Sequence, residues 1–306
     1  MFHSYFLENG KIVTKPGYFE ACQWLNIEGV GESEISLLKK LGFHELAIED
    51  VLRKEKRMRV EKYNDYLFLA ASTIENGTSP LYFSIFLSKS RIITIASRKL
   101  LGDNEVIKRC ERNPNLFARG HDFILYSFLD YLASEYFPLL SDLDDELVLV
   151  EKKILTQPTK DTVFKLLRTK RRLLVFKKSL VALRDLVLSL RQFEGEFINT
   201  KNMPYFQDVL GHLIRLNEQT DLLRDMVSTA FEEYLSVLSN NLNEIMKRLT
   251  ALTVILMVPT LIAGIYGMNF KFIPVSTNPL GFYTIFAFMV FLTVALIYYF
   301  RKKKWF

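Results

Sequence analysis

Cysteine is almost absent from this 306-residue chain, where Cys22 and Cys110 are the only two. That excludes a disulfide framework and fits a reducing compartment. Without CxxC or Cys/His ligand spacing there is no basis for a structural zinc site. Histidine is also sparse: His3, His44, His121 and His212 are scattered and read as ordinary surface or core residues. No GxxxxGK[ST] loop, HExxH or Ser/His/Asp arrangement occurs, so neither an energy-coupling enzyme nor a hydrolytic centre is supported, and no organic cofactor is expected. The opening residues, MFHSYFLENGKIV, lack the basic start and unbroken apolar run of a cleavable export signal, so this part of the chain is expected to stay in the cytoplasm.

The most informative shortage is of charge. From Leu249 to Phe300 the sole Asp, Glu, Lys or Arg is Lys271, although 24% of the chain is charged. Two runs there, LTALTVILMVPTLIAGIY (249–266) and GFYTIFAFMVFLTVALIYYF (281–300), reach the roughly 18 apolar residues that cross about 30 Å of hydrocarbon. Pro259 inside the first run is tolerated in a membrane helix, where neighbouring groups satisfy the freed carbonyl. Lys247 and Arg248 precede the first span, and Arg301, Lys302, Lys303 and Lys304 follow the second. Positive flanks stay inside, which predicts a multi-pass protein of the cell (inner or plasma) membrane with both termini cytoplasmic. Four of the net +6 charges lie in that tail, so the partner implied is the lipid bilayer and no nucleic acid is expected.

The rest divides by pattern. Residues 1–120 read as an α/β domain: LENGKIV carries an Asn-Gly hairpin signal, CQWLNI, YLFLAASTI, LYFSIFL and SRIITIAS read as strands, and SEISLLKKLGF and LAIEDVLR as short helices. Residues 121–200 read as a helical hairpin, with helices at about 122–156 and 161–197 and Pro158 at the turn. One arm carries Asp142, Asp144, Asp145, Glu146 and Glu151. The other carries Arg168, Lys170, Arg171, Arg172, Lys177 and Lys178. Either these are solvated, complementary faces or the basic arm rests on lipid headgroups or another protein. Residues 201–248 form a stalk with no proline after Pro204. Continued to Ile265, its helix would hold about 60 residues and span about 90 Å at 1.5 Å per residue. Residues 249–266 and 281–300 are the spans, 267–280 the outer loop and 301–306 the basic tail.

Along the stalk and first span Asn243, Met246, Thr250, Thr253, Met257, Thr260 and Gly264 recur at spacings of three and four, the period of helices winding around a common axis. Two readings stand. Small residues permit close helix packing, with threonine hydroxyls bonded to their own backbone. Alternatively the stripe lines a passage shared by several copies, since two spans cannot enclose one alone. Threonine hydroxyls and the Asn243 amide would bond the water of a hydrated divalent cation, and Met246, Met257 and neighbouring Leu249 would close the bore by dewetting.

The first span ends in GIYGMNF. Mg2+ dehydrates reluctantly, so a ring of amide oxygens recognising the hydrated ion is an economical selector, and Asn269 is placed to supply it. Gly267 would take the left-handed conformation that ends a helix and turn Asn269 toward the axis.

Tyr266-Gly267-Met268-Asn269, the tail Lys302-Lys303-Lys304-Trp305 after a second span, NEIMKRLT (243–250) and PYFQDVL (204–210) resemble the CorA family of magnesium and cobalt channels. The resemblance implies a homopentamer in which an α+β cytoplasmic funnel domain with long helices is joined to two transmembrane helices per subunit. It also implies a selectivity ring at Gly267, Met268 and Asn269, and pore-lining roles for Asn243, Met246, Met257 and Thr260. Mg2+ would be both cargo and regulatory ligand. An acidic stalk residue binding Mg2+ between subunits falls on Asp208; the family's partner loop reads IENGTSP here, where Glu75 is the nearest acid. Both could equally be solvated carboxylates. The outer loop FKFIPVSTNPLG lacks the acid family members often carry. The expected cargo is Mg2+, with Co2+ or Ni2+ as further candidates. Zinc transport on the same architecture, or a membrane-anchored signalling or structural protein, are the alternatives.

Overall fold

The computed structural model describes residues 1–306 except 9–10, 54–56, 76–78, 99, 113–114, 157, 270–272, 276–279 and 306; at 75, 79–80, 101 and 115 it describes backbone alone. By internal packing the chain forms two units, Met1–Lys152 with Lys160–Thr229, and Lys153–Thr159 with Ala230–Phe306.

In the first unit seven strands form one mixed sheet. They are β1 (Phe2–Glu8), β2 (Lys11–Pro16), β3 (Trp24–Glu28), β4 (Arg59–Tyr63), β5 (Tyr66–Glu75), β6 (Ser79–Ser88) and β7 (Ile92–Ala96), in the order β2-β1-β3-β7-β6-β5-β4. Only β3 and β7 pair in parallel, with Leu25 opposite Ile93 and Ile27 opposite Ile95. The β1–β2 hairpin forms around the Asn-Gly signal, although Asn9 and Gly10 themselves lie outside the described residues. The central strands are buried on both faces and therefore read as nearly continuous apolar runs. Leu25, Ile27, Phe68, Phe86, Ile93 and Ile95 face Leu38, Ala47, Ile48 and Val51 of the short helices α1 (Glu32–Lys40) and α2 (Glu45–Leu52).

On the other face Trp24 meets Phe128 edge-on at 5.3 Å. Buried polar groups there are bonded to one another, as burial requires. Trp24 Nε1 donates to Thr94 Oγ1 (3.0 Å), Thr94 Oγ1 to Asn26 Oδ1 (2.9 Å), and Asn26 Nδ2 to Asp103 Oδ2 (2.9 Å). Asp103 belongs to α3 (Leu101–Arg112), which precedes the short α4 (Asn115–Ala118). Neither helix was foreseen, because within the charged LGDNEVIKRCER only Val106 and Cys110 form a clear apolar pair.

Phe128 lies on α5 (His121–Thr156), which is followed by α6 (Lys160–Leu190). Their buried residues keep heptad-like spacing, as in Leu166, Thr169, Leu173, Phe176, Leu180, Leu183, Val187 and Leu190 of α6. Tyr136 of α5 packs on Phe176 (5.2 Å) and bonds Ser179. Of the charged faces, Arg172 pairs with Glu146, and Lys177 with Asp221 of the following helix.

The helix expected over 161–197 stops at Leu190 and passes through a 3-10 turn, Arg191–Phe193. Gly195 then takes φ +81, a conformation that favours glycine. The turn buries Phe193, Phe197 and Ile198, and that burial outweighs one more helical turn. The buried carboxylate of Asp122 ties the next loop down, accepting from the Asn199 amide and Asn202 Nδ2, both at 2.9 Å. α7 (Met203–Tyr266) begins with Pro204 in its first turn, where proline forfeits no bond, and continues unbroken through Pro259.

The second unit contains the rest of α7 and α8 (Gly281–Lys302). Both helices are long and apolar enough to cross a membrane, and their apolar windows are almost wholly exposed in the single chain.

Candidate functional site

The membrane part of α7 has one face committed inside the chain. Ala251 and Ile255 are buried against Phe300, with Val254, Leu296 and Trp305 packed around them. At about 100° per residue, Thr253, Met257, Thr260 and Gly264 lie about 120–180° around the helix from Ala251. All four are exposed, Met257 at 62%, and so are Met246 (58%), Leu249, Thr250 and Asn243. Thr250 and Asn243 sit at the edge of that outward face, about 80–100° from Ala251. The face also carries Leu252 and Leu256, so the polar stripe runs beside an apolar one.

The hydroxyls are aligned by the helix itself. Thr253 Oγ1 donates to the Leu249 carbonyl at 2.9 Å, and Thr260 Oγ1 to the Leu256 carbonyl at 2.7 Å. A hydroxyl that has given its proton to the backbone can only accept from outside. Water bound to a cation turns its hydrogens outward, so acceptor-only groups have the polarity such a shell needs. The self-bonded threonines of the packing reading thus have what an ion lining needs.

At the end of α7 the expectation for Gly267 fails. Its φ is not left-handed; its amide donates to the Ala263 carbonyl (2.9 Å) and Met268 to the Ile265 carbonyl (3.3 Å). The helix tightens through its last turn, where a Cβ added at Gly267 would lie 3.2 Å from the Ala263 oxygen. Glycine is thus suited here by close backbone approach and not by an unusual dihedral. Gly267, Met268 and Asn269 are all exposed. The helix C-terminus beneath them carries partial negative charge, which favours a cation. Lys271 lies outside the described residues.

Asp208, on the first unit's part of α7, exposes 65% of its side chain, with His212 Nε2 4.0 Å from Oδ2. Tyr126 is pushed up to about 12 by burial, with the charges of Asp130 and Asp208 adding to it. Glu75 ends β5, and its side chain lies outside what is described. Among the described residues no group of three or more His, Cys, Asp or Glu converges on a metal position. Among the described residues, one carboxylate and a distant imidazole at Asp208 do not make a hard-cation site.

The family of CorA-like Mg2+ transporter proteins matches this sequence over residues 19–302. The chain belongs to this family. It is 34% identical over 292 residues to the cobalt/magnesium transport protein CorA of Thermotoga maritima, covering 92% of this chain and 83% of that one. It is 30% identical over 294 residues to the putative metal ion transporter YfjQ of Bacillus subtilis, covering 94% and 90%. The complete structure of the CorA magnesium transporter from Methanocaldococcus jannaschii superposes with a TM-score of 0.87 at 26% identity, over 100% of this chain and 99% of that one. CorA-like proteins are transporters of divalent cations, not enzymes, and the two apolar helices of this chain fit a two-span membrane protein.

Sequence reasoning named Trp305 within the CorA-like tail and gave it no role in packing. An aromatic five positions after Phe300, just past a helix end, was the available signal.

Proposed function

We propose that several copies of this CorA-family chain, five by resemblance, assemble so that the outward stripe of α7 lines one shared passage for hydrated Mg2+. Asn269 amides sort ions at the outer mouth. Asn243, Thr250, Thr253 and Thr260 bond the ion's water, Gly264 keeps the outer bore wide, and Met246, Leu249 and Met257 close it by dewetting. Both termini lie in the cytoplasm, with Lys247, Arg248 and Arg301–Lys304 at the inner surface. The observation that carries this reading is the placement of Thr253, Thr260 and Gly264 roughly opposite the buried Ala251–Phe300 contact, on a face that nothing described in one chain covers. Co2+ is a second cargo, since the relative from Thermotoga maritima is a cobalt/magnesium transport protein. Asn269 and threonine oxygens have little intrinsic preference among such ions, so selection rests on hydration.

The membrane potential suffices as the driving force: about 2.3 kcal/mol per charge per 100 mV gives about 4.6 kcal/mol for a divalent ion moving inward. Purified protein in liposomes should admit Mg2+ at a rate that rises as the interior is made more negative. Uptake of zinc alone, or coupled electroneutrally to protons, would assign the same architecture to zinc transport. No flux of any divalent ion would leave a membrane anchor.

The same reading assigns regulation to Asp208. Mg2+ held between the Asp208 carboxylate of one copy and acidic groups of the next, Glu75 among the candidates, favours the closed arrangement, and its loss opens it. Asp208→Ala should raise the internal Mg2+ needed for half-closure by about tenfold, the lower range of typical couplings. An unchanged inhibition curve would remove Asp208 from the mechanism.

A further inference from the structure

The end of α8 is closed by a specific turn. The Trp305 amide donates to the Phe300 carbonyl at 3.1 Å and the Lys304 amide to the Arg301 carbonyl at 3.0 Å, with Lys304 itself at φ 56. Two such bonds around one left-handed residue make a Schellman cap, whose usual left-handed residue is glycine. Here it is lysine, whose Cβ makes that conformation unfavourable, so the surroundings must hold it there. The turn carries Trp305 back along α8. Its ring lies 5.3 Å from Phe300 at 33°, and both belong to the cluster that buries Ala251 and Ile255 of α7.

We propose that Trp305 is a latch, a positioning residue that holds the inner membrane segment of α7 forward and so sets the width of the passage between Met246 and Met257. This rests on the pathway described above. Ala251 is fully buried beneath the Phe300–Trp305 pair, and Thr253 and Met257 occupy the outward side of the same two turns. Whatever fills the space behind α7 therefore fixes how far its outward side reaches toward the other copies. With both rings seated the passage closes tightly. With the latch undone α7 settles back and ions enter under conditions that close the parent protein. Lys304 acts here through its backbone, and its charge is not required for the effect.

Two substitutions separate backbone from charge. Lys304→Gly and Lys304→Val remove the same positive charge, but glycine favours the left-handed turn whereas a β-branched residue opposes it. In liposomes loaded with enough Mg2+ to close the parent, residual Mg2+ uptake by Lys304→Val should exceed that of Lys304→Gly by roughly tenfold, following the left-handed penalty. Trp305→Ala should leak like Lys304→Val, and Trp305→Phe, which keeps a ring, should restore closure. The ratio of uptake with low and high internal Mg2+ is the readout, because a general loss of folded protein lowers both values and leaves the ratio unmoved. Equal ratios for the two Lys304 variants would overturn the proposal, as would parental closure in Trp305→Ala. Absence of uptake by the parent protein is a different result and would count against the pathway itself.

Discussion

Replacing Asn269 with alanine should abolish Mg2+ uptake while leaving expression, membrane insertion and assembly intact. Asn269 is exposed just beyond the last turn of α7, so its loss disturbs no packing within the chain. What is lost is an acceptor for the ion's water. A single hydrogen bond is worth about 1 kcal/mol net, but symmetry repeats the loss in every copy, and the summed effect is several kcal/mol at the mouth. At about 1.4 kcal/mol per decade, uptake falls by at least about a hundredfold. Asn269→Gln, which keeps the amide on a longer stem, should retain more than alanine. Radiotracer or dye-reported Mg2+ entry into liposomes measures it. Normal entry in Asn269→Ala would remove the amide ring and return the two spans to the role of an anchor.

Gly264→Leu should produce a block of similar size for the opposite reason. A Cβ built at Gly264 meets nothing within 4 Å in the single chain, so a larger side chain there neither clashes with nor unfolds its own subunit. If Gly264 faced lipid, leucine would be at home and transport would continue. On a shared axis each copy instead contributes an isobutyl group to one level of the bore, making a constriction that a hydrated ion passes only by shedding water. Partial dehydration of a divalent ion costs several kcal/mol, which again corresponds to a hundredfold or more. Uptake is compared with circular dichroism and the assembled size in detergent. Full uptake in Gly264→Leu would place this face in the lipid.

The features most legible in the sequence were those set by local periodicity. Leu249–Tyr266 and Gly281–Phe300 announced themselves by lack of charge, and Ile92–Ala96 by an apolar run interrupted only by Thr94, which suits a strand covered on both faces. The Thr253–Thr260 stripe was visible as a spacing, yet only the packing of Ala251 and Ile255 on Phe300 says which side of α7 remains outward. Non-local facts were not legible. Nothing in CQWLNI announces that Leu25 pairs in parallel with Ile93, and the polar RVEKY gave no sign of becoming strand β4. α6 ended sooner than its continuing helical pattern suggested, because the turn that follows Leu190, with Gly195 left-handed, buries Phe193 and Phe197. At Gly267 a glycine past a helix was read as a left-handed cap, whereas the cap of that kind is at Lys304, where the lysine gave no hint of it. Residue type alone does not separate a glycine needed for its dihedral from one needed for its lack of a side chain.

The shared aqueous pathway is tested most directly by block of Mg2+ uptake with a charged, water-soluble thiol reagent in two single-cysteine additions, Thr253→Cys and Leu252→Cys. The native Cys22 and Cys110 are buried, so the parent protein supplies the background. At about 100° per residue the two positions are neighbours along α7 on different sides of its outward face, one on the polar stripe and one on the leucine stripe. The account predicts that the reagent stops uptake through Thr253→Cys and leaves Leu252→Cys and the parent protein unaffected. Block at Leu252→Cys with none at Thr253→Cys, or block at neither, would contradict it.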